Sequence, residues 1–310
     1  MRRLLILALA LTAPAAAQRA RAPFTIAETG QGFSRINDAV QAIQTGTGTI
    51  LIAPGVYHDC TVQNGGRITF KAMQPGTAIF EETTCEDKAA FVLNGDESIV
   101  DGLVFRGMSV PDGNGAGIRI ETGNITIRNT MFLDSQEGIL GGEASPAQRI
   151  TIDQSTFSGL GQCDESEDCA HSIYLATPGQ VRITRSRFER GRGGHYVKLR
   201  VANVDIQDNS FDDTAGSKTN YMIDLPEGAT GLIARNTFVQ GRDKENWTGF
   251  IVVAAEAKTY RSDGLQVRNN SASLAPGISH SPAFVADMSK GRLLLADNRL
   301  GAGVRPFERR

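Results

Sequence analysis

Apolar positions along this chain follow a short period nested in a longer one. An aliphatic residue, four intervening positions and a phenylalanine recur every 23 to 31 residues. The copies run Val100 to Phe105, Ile127 to Phe132, Ile152 to Phe157, Ile183 to Phe188, Ile206 to Phe211 and Ile233 to Phe238. Each is trailed by a strand-like run: GIRIE, GILGG, SIYLA, YVKLR, MIDLP and FIVVA. Short β-branched runs between Gly, Asn and Asp turns predict strands, and self-similarity at this period predicts a solenoid. A helical repeat would hold apolar residues at three- and four-residue spacing over ten or more positions, and this region does not.

Equivalent residues of such a solenoid stack along its axis, with neighbouring strands about 4.8 Å apart. The pattern therefore predicts an all-β fold, a single-stranded right-handed parallel β-helix with one coil per repeat. Aligning the trailing strands gives an inward column of Ile118, Ile139, Ile173, Val197, Ile223 and Val252. A second inward column holds Ile120, Gly141, Leu175, Leu199, Leu225 and Ala254. Side chains alternate faces along a strand, so the residues between the columns face outward: Arg119, Leu140, Tyr174, Lys198, Asp224 and Val253. Three consecutive coils thus set a phenol, an ammonium and a carboxylate in one row on the surface.

Helical spacing occurs once, at residues 33–44, where Phe33, Ile36, Ala39, Val40 and Ile43 share a face. Ser34 is placed to cap this helix and the Gly-rich TGTGT ends it. Terminal solenoid repeats need caps over the exposed core, and a short N-terminal helix serves as one. The helix leads into TILIAPGVYHD, a strand, a Pro-Gly turn and a second extended segment, and then into coils ending in I-x-x-x-x-F. With these features the chain resembles the pectin-lyase-like right-handed β-helix superfamily over nearly its whole length. The resemblance implies fold rather than chemistry. That superfamily includes polysaccharide lyases, glycoside hydrolases, methylesterases, epimerases and non-catalytic surface proteins, so the site must decide the function.

A polar column accompanies the apolar ones: Thr130, Ser155, Ser186, Asn209, Asn236, Asn270 and Asn298. Asn suits a left-handed or sharply bent turn, and stacked amides can bond along the axis. These residues read as structural. Beyond them, GLQVRNNSAS and LLLADNRL predict two further coils, and residues 304–310 a polar tail after a β-helix domain at 33–303.

Residues 1–17 combine a basic start, an apolar run and an Ala-x-Ala end, the pattern of a secretory leader cleaved after Ala17. An N-terminal segment, residues 18–32, follows it. The leader predicts an exported protein, periplasmic or secreted, with no transmembrane segment because no apolar run approaches the roughly 20 residues needed. Losing Arg2 and Arg3 takes the formal charge from −2 to −4, which argues against nucleic acid as a partner. The chain reads as a monomer of one domain. Four cysteines in an exported chain predict two disulfides. Cys163 and Cys169 would close the acidic loop CDESEDC. Cys60 and Cys85 lie about one coil apart and would bridge adjacent coils.

Candidate chemistry converges on HSIYL, RGGHYVKLR and NYMIDLP. Outward positions supply Ser172 and Tyr174, then Tyr196, Lys198 and Arg200, then Met222 and Asp224. His171, His195 and Tyr221 take matching positions where the chain enters each strand. The loops CDESEDC, GRGG, DDTAGSKTN and GRDKENWTG would wall a groove over these residues, as insertions on one solenoid face do. The resemblance implies a polysaccharide or oligosaccharide partner for such a groove, with Trp247, Tyr196, Tyr221 and Asn220 as contacts. Trp247 would stack on a sugar ring.

β-Elimination from a uronic acid needs a base for the α proton, an acid for the leaving oxygen and a cation at the carboxylate. Lys198 or His195 would be the base, Tyr174 the acid and Arg200 the carboxylate clamp, with His171 and Asp224 beside them. Asp224 next to Lys198 opposes the base role by favouring the charged ammonium. Glycoside hydrolysis, with two carboxylates facing the bond, has Asp224 in place and only Glu137 or Asp213 as partners. A third reading is a non-catalytic glycan-binding or cell-envelope protein. No cofactor is required by any of these; Asp164, Glu165, Glu167 and Asp168 are a candidate calcium set without EF-hand spacing.

Overall fold

The computed structural model describes residues 22–310, and the expected leader at 1–17 lies outside the described residues. Between Thr47 and Arg309 the chain winds as a parallel β-solenoid. The strands that carry the repeated phenylalanines Phe105 to Phe238 belong to a ten-stranded sheet, and the other faces form one continuous eighteen-stranded sheet that bends around the corners. In several coils the trailing strand and the next leading strand are one element. Ile173–Thr184 and Val197–Gln207 pair in parallel on both sides of a register shift between Thr177 and Gln180.

The core follows the predicted columns. Phe105, Phe132, Phe157, Phe188, Phe211 and Phe238 are fully buried and stack face to face, with ring centroids 4.7–5.3 Å apart. Phe80 extends the stack by one coil. Burying each such ring contributes on the order of 1.5–3 kcal/mol. The inward column pairs Ile118, Ile139, Ile173, Val197 and Ile223 in register.

The next coil differs by one residue from the sequence alignment. Ile223 pairs with Ile251, Asp224 with Val252 and Leu225 with Val253. Val252 therefore faces outward, and Ile251 and Val253 fill the core. A run of four consecutive apolar residues hides the strand's parity, so the alternation offered no register there.

The polar column is buried and bonded along the axis. Asn209 Nδ2 donates to Asn236 Oδ1 at 2.9 Å, Asn236 to Asn270 at 3.0 Å and Asn270 to Asn298 at 2.9 Å. The left-handed residue of each turn lies one position earlier, at Asn129, Gln154, Arg185, Asp208, Arg235, Asn269 and Asp297. The ladder asparagines hold that turn from beside it rather than adopting the unusual backbone themselves.

The one helix among the described residues, Ile36–Ile43, buries Ile36, Ala39 and Val40 over the N-terminal end. Ser34 does not cap it: Asp59, from the following coil, accepts the Ile36 backbone N–H at 2.9 Å. Phe24–Ile26 adds an antiparallel strand to Thr47–Ile52 and extends this cap. At the other end the expected polar tail instead contributes a strand, Arg305–Arg309, paired in parallel with Ala283–Asp287. Cys60 is bonded to Cys85 and Cys163 to Cys169. Among the described residues no helix is long and apolar enough to cross a membrane.

Candidate functional site

Strand register delivers the predicted row. Tyr174 pairs with Lys198, and Lys198 with Asp224. The row is not a surface stripe, however: Asp224 is 2% exposed, and Lys198 is largely covered. Tyr174 and Lys198 line a groove of about 490 Å³ together with His171, His195, Arg200, Asn220, Glu137, Asp168, Glu245 and Glu256, among others, and Asp224 is buried beside Lys198 outside that lining. Three of the four expected loops wall it through Asp168 and Cys169, Gly194, and Asn220. The fourth contributes Glu245 rather than Trp247.

His171 and His195 are brought together by a glycine. Gly194 has φ +58°, and a Cβ there would lie 2.4 Å from His171 Nδ1. Its absence lets the next residue's backbone N–H donate to that nitrogen at 3.1 Å. His171 Nδ1 is therefore a lone-pair acceptor, and its ring proton resides on Nε2. His195 Nδ1 lies 3.4 Å from the same lone pair, which favours a proton on His195 Nδ1 and leaves Nε2 bare. That Nε2 is enclosed and faces Asp224 Oδ2 at 3.5 Å.

Burial sets the charges. Desolvation, aided by Lys198 and Arg200, pulls the His171 pKa down to about 3. Desolvation, then His171 and Lys198, pulls His195 well below its usual range. Desolvation raises Asp224 to about 7 despite the opposing Lys198 charge. The geometry is thus a neutral imidazole pair ending on a carboxyl that holds a proton near neutrality. Glu137 belongs to the same environment. Its Oε1 accepts the His171 backbone N–H, its Oε2 has no partner, and desolvation raises its pKa well above 4.5.

Two cations, Lys198 and Arg200, line the groove beside this group. Lys198 Nζ is 3.9 Å from Asp224 Oδ2 but donates to Glu256 Oε1 at 2.9 Å. Its principal partner is therefore Glu256, not the cross-strand Asp224 that the sequence suggested. Arg200 donates from Nε to the Tyr174 hydroxyl oxygen at 2.8 Å, from Nη1 to Glu227 at 2.8 Å, and from Nη2 to Glu256. Because Arg200 occupies a lone pair of the phenol oxygen, the Tyr174 proton is free to point into the groove.

Other predicted residues sit elsewhere. Tyr196 is 1% exposed and faces the core, with its hydroxyl donating to Asp213 at 2.8 Å. Met222 is likewise core. Both lie at the corner where the chain turns into the strand, and alternation does not extend through a corner. Asp213, considered for hydrolysis, is fully buried and paired with Lys244 at 3.1 Å. Tyr221 is half-buried against Val252, its hydroxyl taken by Asn246. Trp247 stacks on His280 with ring centroids 4.1 Å apart, outside the groove lining. Asn220 lines the groove and donates to Glu245 at 2.8 Å. The candidate calcium acids are dispersed: Asp164 pairs with Lys218, Glu165 with Gln136, and Asp168 lines the groove.

Glu227, Glu245 and Glu256 were not foreseen. Glu227 and Glu256 lie in the turns that follow the strands Ile223–Leu225 and Gly249–Val253. Acidic residues just beyond trailing strands, one and two coils after Arg200, were the available signal.

Residues 89–274 match the family described as right handed beta helix region. The chain belongs to that family. No curated protein matches it. Among solved structures it is similar to the Streptococcus pneumoniae surface protein and adhesin PfbA, at 12% identity and a TM-score of 0.39, covering 88% of this chain and 94% of that one.

Proposed function

We propose that this β-helix protein binds a uronic-acid glycan in the groove and cleaves it by β-elimination. The observation that carries the reading is the meeting of a free phenol proton, an ammonium and a guanidinium at one end of a carboxyl–imidazole pair able to hold a proton. Arg200 clamps the uronate carboxylate, for which its fork is suited. Lys198 takes the proton α to that carboxylate after passing its own to the ionised form of Asp224, which a pKa of about 7 leaves populated near neutrality. The bond from the β carbon to the glycosidic oxygen breaks, and Tyr174 protonates the departing oxygen. His195 lines the groove but its enclosed Nε2 faces Asp224, so that nitrogen supports Asp224 rather than exchanging a proton with substrate.

The acids Glu137, Asp168, Glu245 and Glu256 around the groove favour a second reading, hydrolysis of a neutral glycan. Incubation with a panel of acidic and neutral glycans separates the two. Elimination yields an ultraviolet-absorbing unsaturated uronate. Hydrolysis yields new reducing ends without that absorbance. Binding without either product on any glycan overturns both enzymatic readings in favour of a glycan-binding protein.

A further inference from the structure

Both oxygens of one carboxylate are divided between the two groove cations: Glu256 Oε1 accepts from Lys198 at 2.9 Å, and Oε2 accepts from Arg200. That is the arrangement a uronate carboxylate would take in the same place. The two glutamates on Arg200 are not equivalent. Glu227 is mostly covered, at 20% side-chain exposure, and bonds Arg200 from the flank. Glu256, at 43%, lines the groove itself. Nor does Arg200 depend on Glu256 for its aim, since Tyr174 and Glu227 hold its Nε and Nη1 at 2.8 Å each.

We infer that Lys198 and Arg200 form a subsite for a single carboxylate and that Glu256 is its resident occupant, displaced when a uronate enters. The inference rests on the uronate-binding part of the reading above and not on the elimination step. Exchange of one carboxylate for another keeps both cations paired throughout, so neither is left buried and bare. It also makes Glu256 a determinant of specificity. A neutral sugar cannot replace the charge, and its binding leaves Glu256 in place.

Titration calorimetry on the full chain tests this with trimers of galacturonate, mannuronate and glucuronate and with their carboxyl-reduced, neutral counterparts. Glu256→Gln removes the competing charge. It is expected to tighten binding of at least one acidic trimer by about tenfold while leaving its neutral counterpart unchanged, since each tenfold corresponds to about 1.4 kcal/mol. Glu227→Gln removes an equal charge from Arg200 without vacating the subsite, and it is expected to give no tightening. Equal tightening by both variants would mean a simple change of net charge and would overturn the inference. So would weaker or unchanged binding in Glu256→Gln, or no acidic trimer bound by either wild type or that variant. Tighter binding without unsaturated product would keep the subsite and remove the elimination reading. Product from wild type without tightening would do the reverse.

Discussion

The backbone N–H of His195 donates to Nδ1 of His171 at 3.1 Å, and this bond determines where the groove's protons reside. An imidazole nitrogen that accepts a backbone N–H is unprotonated. His171 is thereby a neutral ring with its proton on Nε2, a hydrogen-bond donor and not a base. The tautomer of His195 follows from it, while the proton on Asp224 follows from burial, which raises its pKa to about 7.

The first prediction concerns that tautomer. With a pKa drawn down to about 3, His171 stays neutral through the range in which a free histidine titrates. Nitrogen-detected NMR is expected to show His171 with a protonated Nε2 and a bare Nδ1, unchanged between about pH 5 and 8. A His171 titration near pH 6.5 would show that the pair is solvated and the proton chain absent.

The second concerns stability against pH, where Asp224 and His171 act in opposite senses. Asp224 binds its proton more tightly folded, at about 7, than unfolded, at its ordinary 3.8. Its contribution is complete below the unfolded value and is lost as pH rises through 7. His171 has a depressed pKa, so its contribution is present above 6.5 and is lost as pH falls toward 3. Asp224→Asn removes the first effect alone. The melting temperature of that variant relative to wild type is expected to rise between about pH 5 and 8. A constant difference would show that Asp224 is ionised throughout.

The third concerns the core. Phe188 stacks on Phe157 at 4.8 Å and on Phe211 at 4.7 Å, fully buried. Phe188→Ala is expected to cost about 3–5 kcal/mol in chemical denaturation, since coils on both sides limit collapse of the cavity. Asn236→Ala is expected to cost about 1–3 kcal/mol, because it removes the Oδ1 that accepts the buried Asn209 backbone N–H and breaks the amide ladder at that coil. If both variants melt like wild type, stacking along the axis is not what holds the coils.

These two rows were also the most legible features of the sequence. A stacked residue faces its own kind one coil away, so Phe105 to Phe238 and Asn209 to Asn298 repeat in sequence because they repeat in space. The row Tyr174, Lys198, Asp224 was legible for the same reason: strand register converts sequence alignment into adjacency. Legibility ended where alternation ends. At the corners, Tyr196 and Met222 turned inward, and in the unbroken apolar run Phe250–Val253 parity gave no register. Glu256 reaches the groove, and Glu227 the flank of Arg200, from turns, where no period constrains a side chain's direction. Burial escaped too. Nothing in the letters showed that Asp224 lies beneath a wall of loops, and that depth is what raises its pKa and draws His195 down.

The last prediction concerns turnover. On a glycan confirmed as substrate, Lys198→Ala and Tyr174→Phe are each expected to lower kcat by at least about 10²-fold, the usual loss when an acid or base is removed. Arg200→Lys keeps the charge but loses the fork that reaches Tyr174, Glu227 and Glu256 together. It is expected to raise KM and lower kcat together, since the lost contact holds substrate and developing enolate alike. His195→Gln tests a positioning role. Because His195 Nε2 faces Asp224 and not the groove, its removal is expected to shift the pH profile of kcat, with KM changed less. Asp224→Asn is expected to flatten that profile and lose most of the rate, having no place for the Lys198 proton. If Lys198→Ala and Tyr174→Phe instead retain wild-type turnover, elimination is not carried by this row. If all variants change affinity alone and no product forms with any of them, the groove binds its glycan without cleaving it.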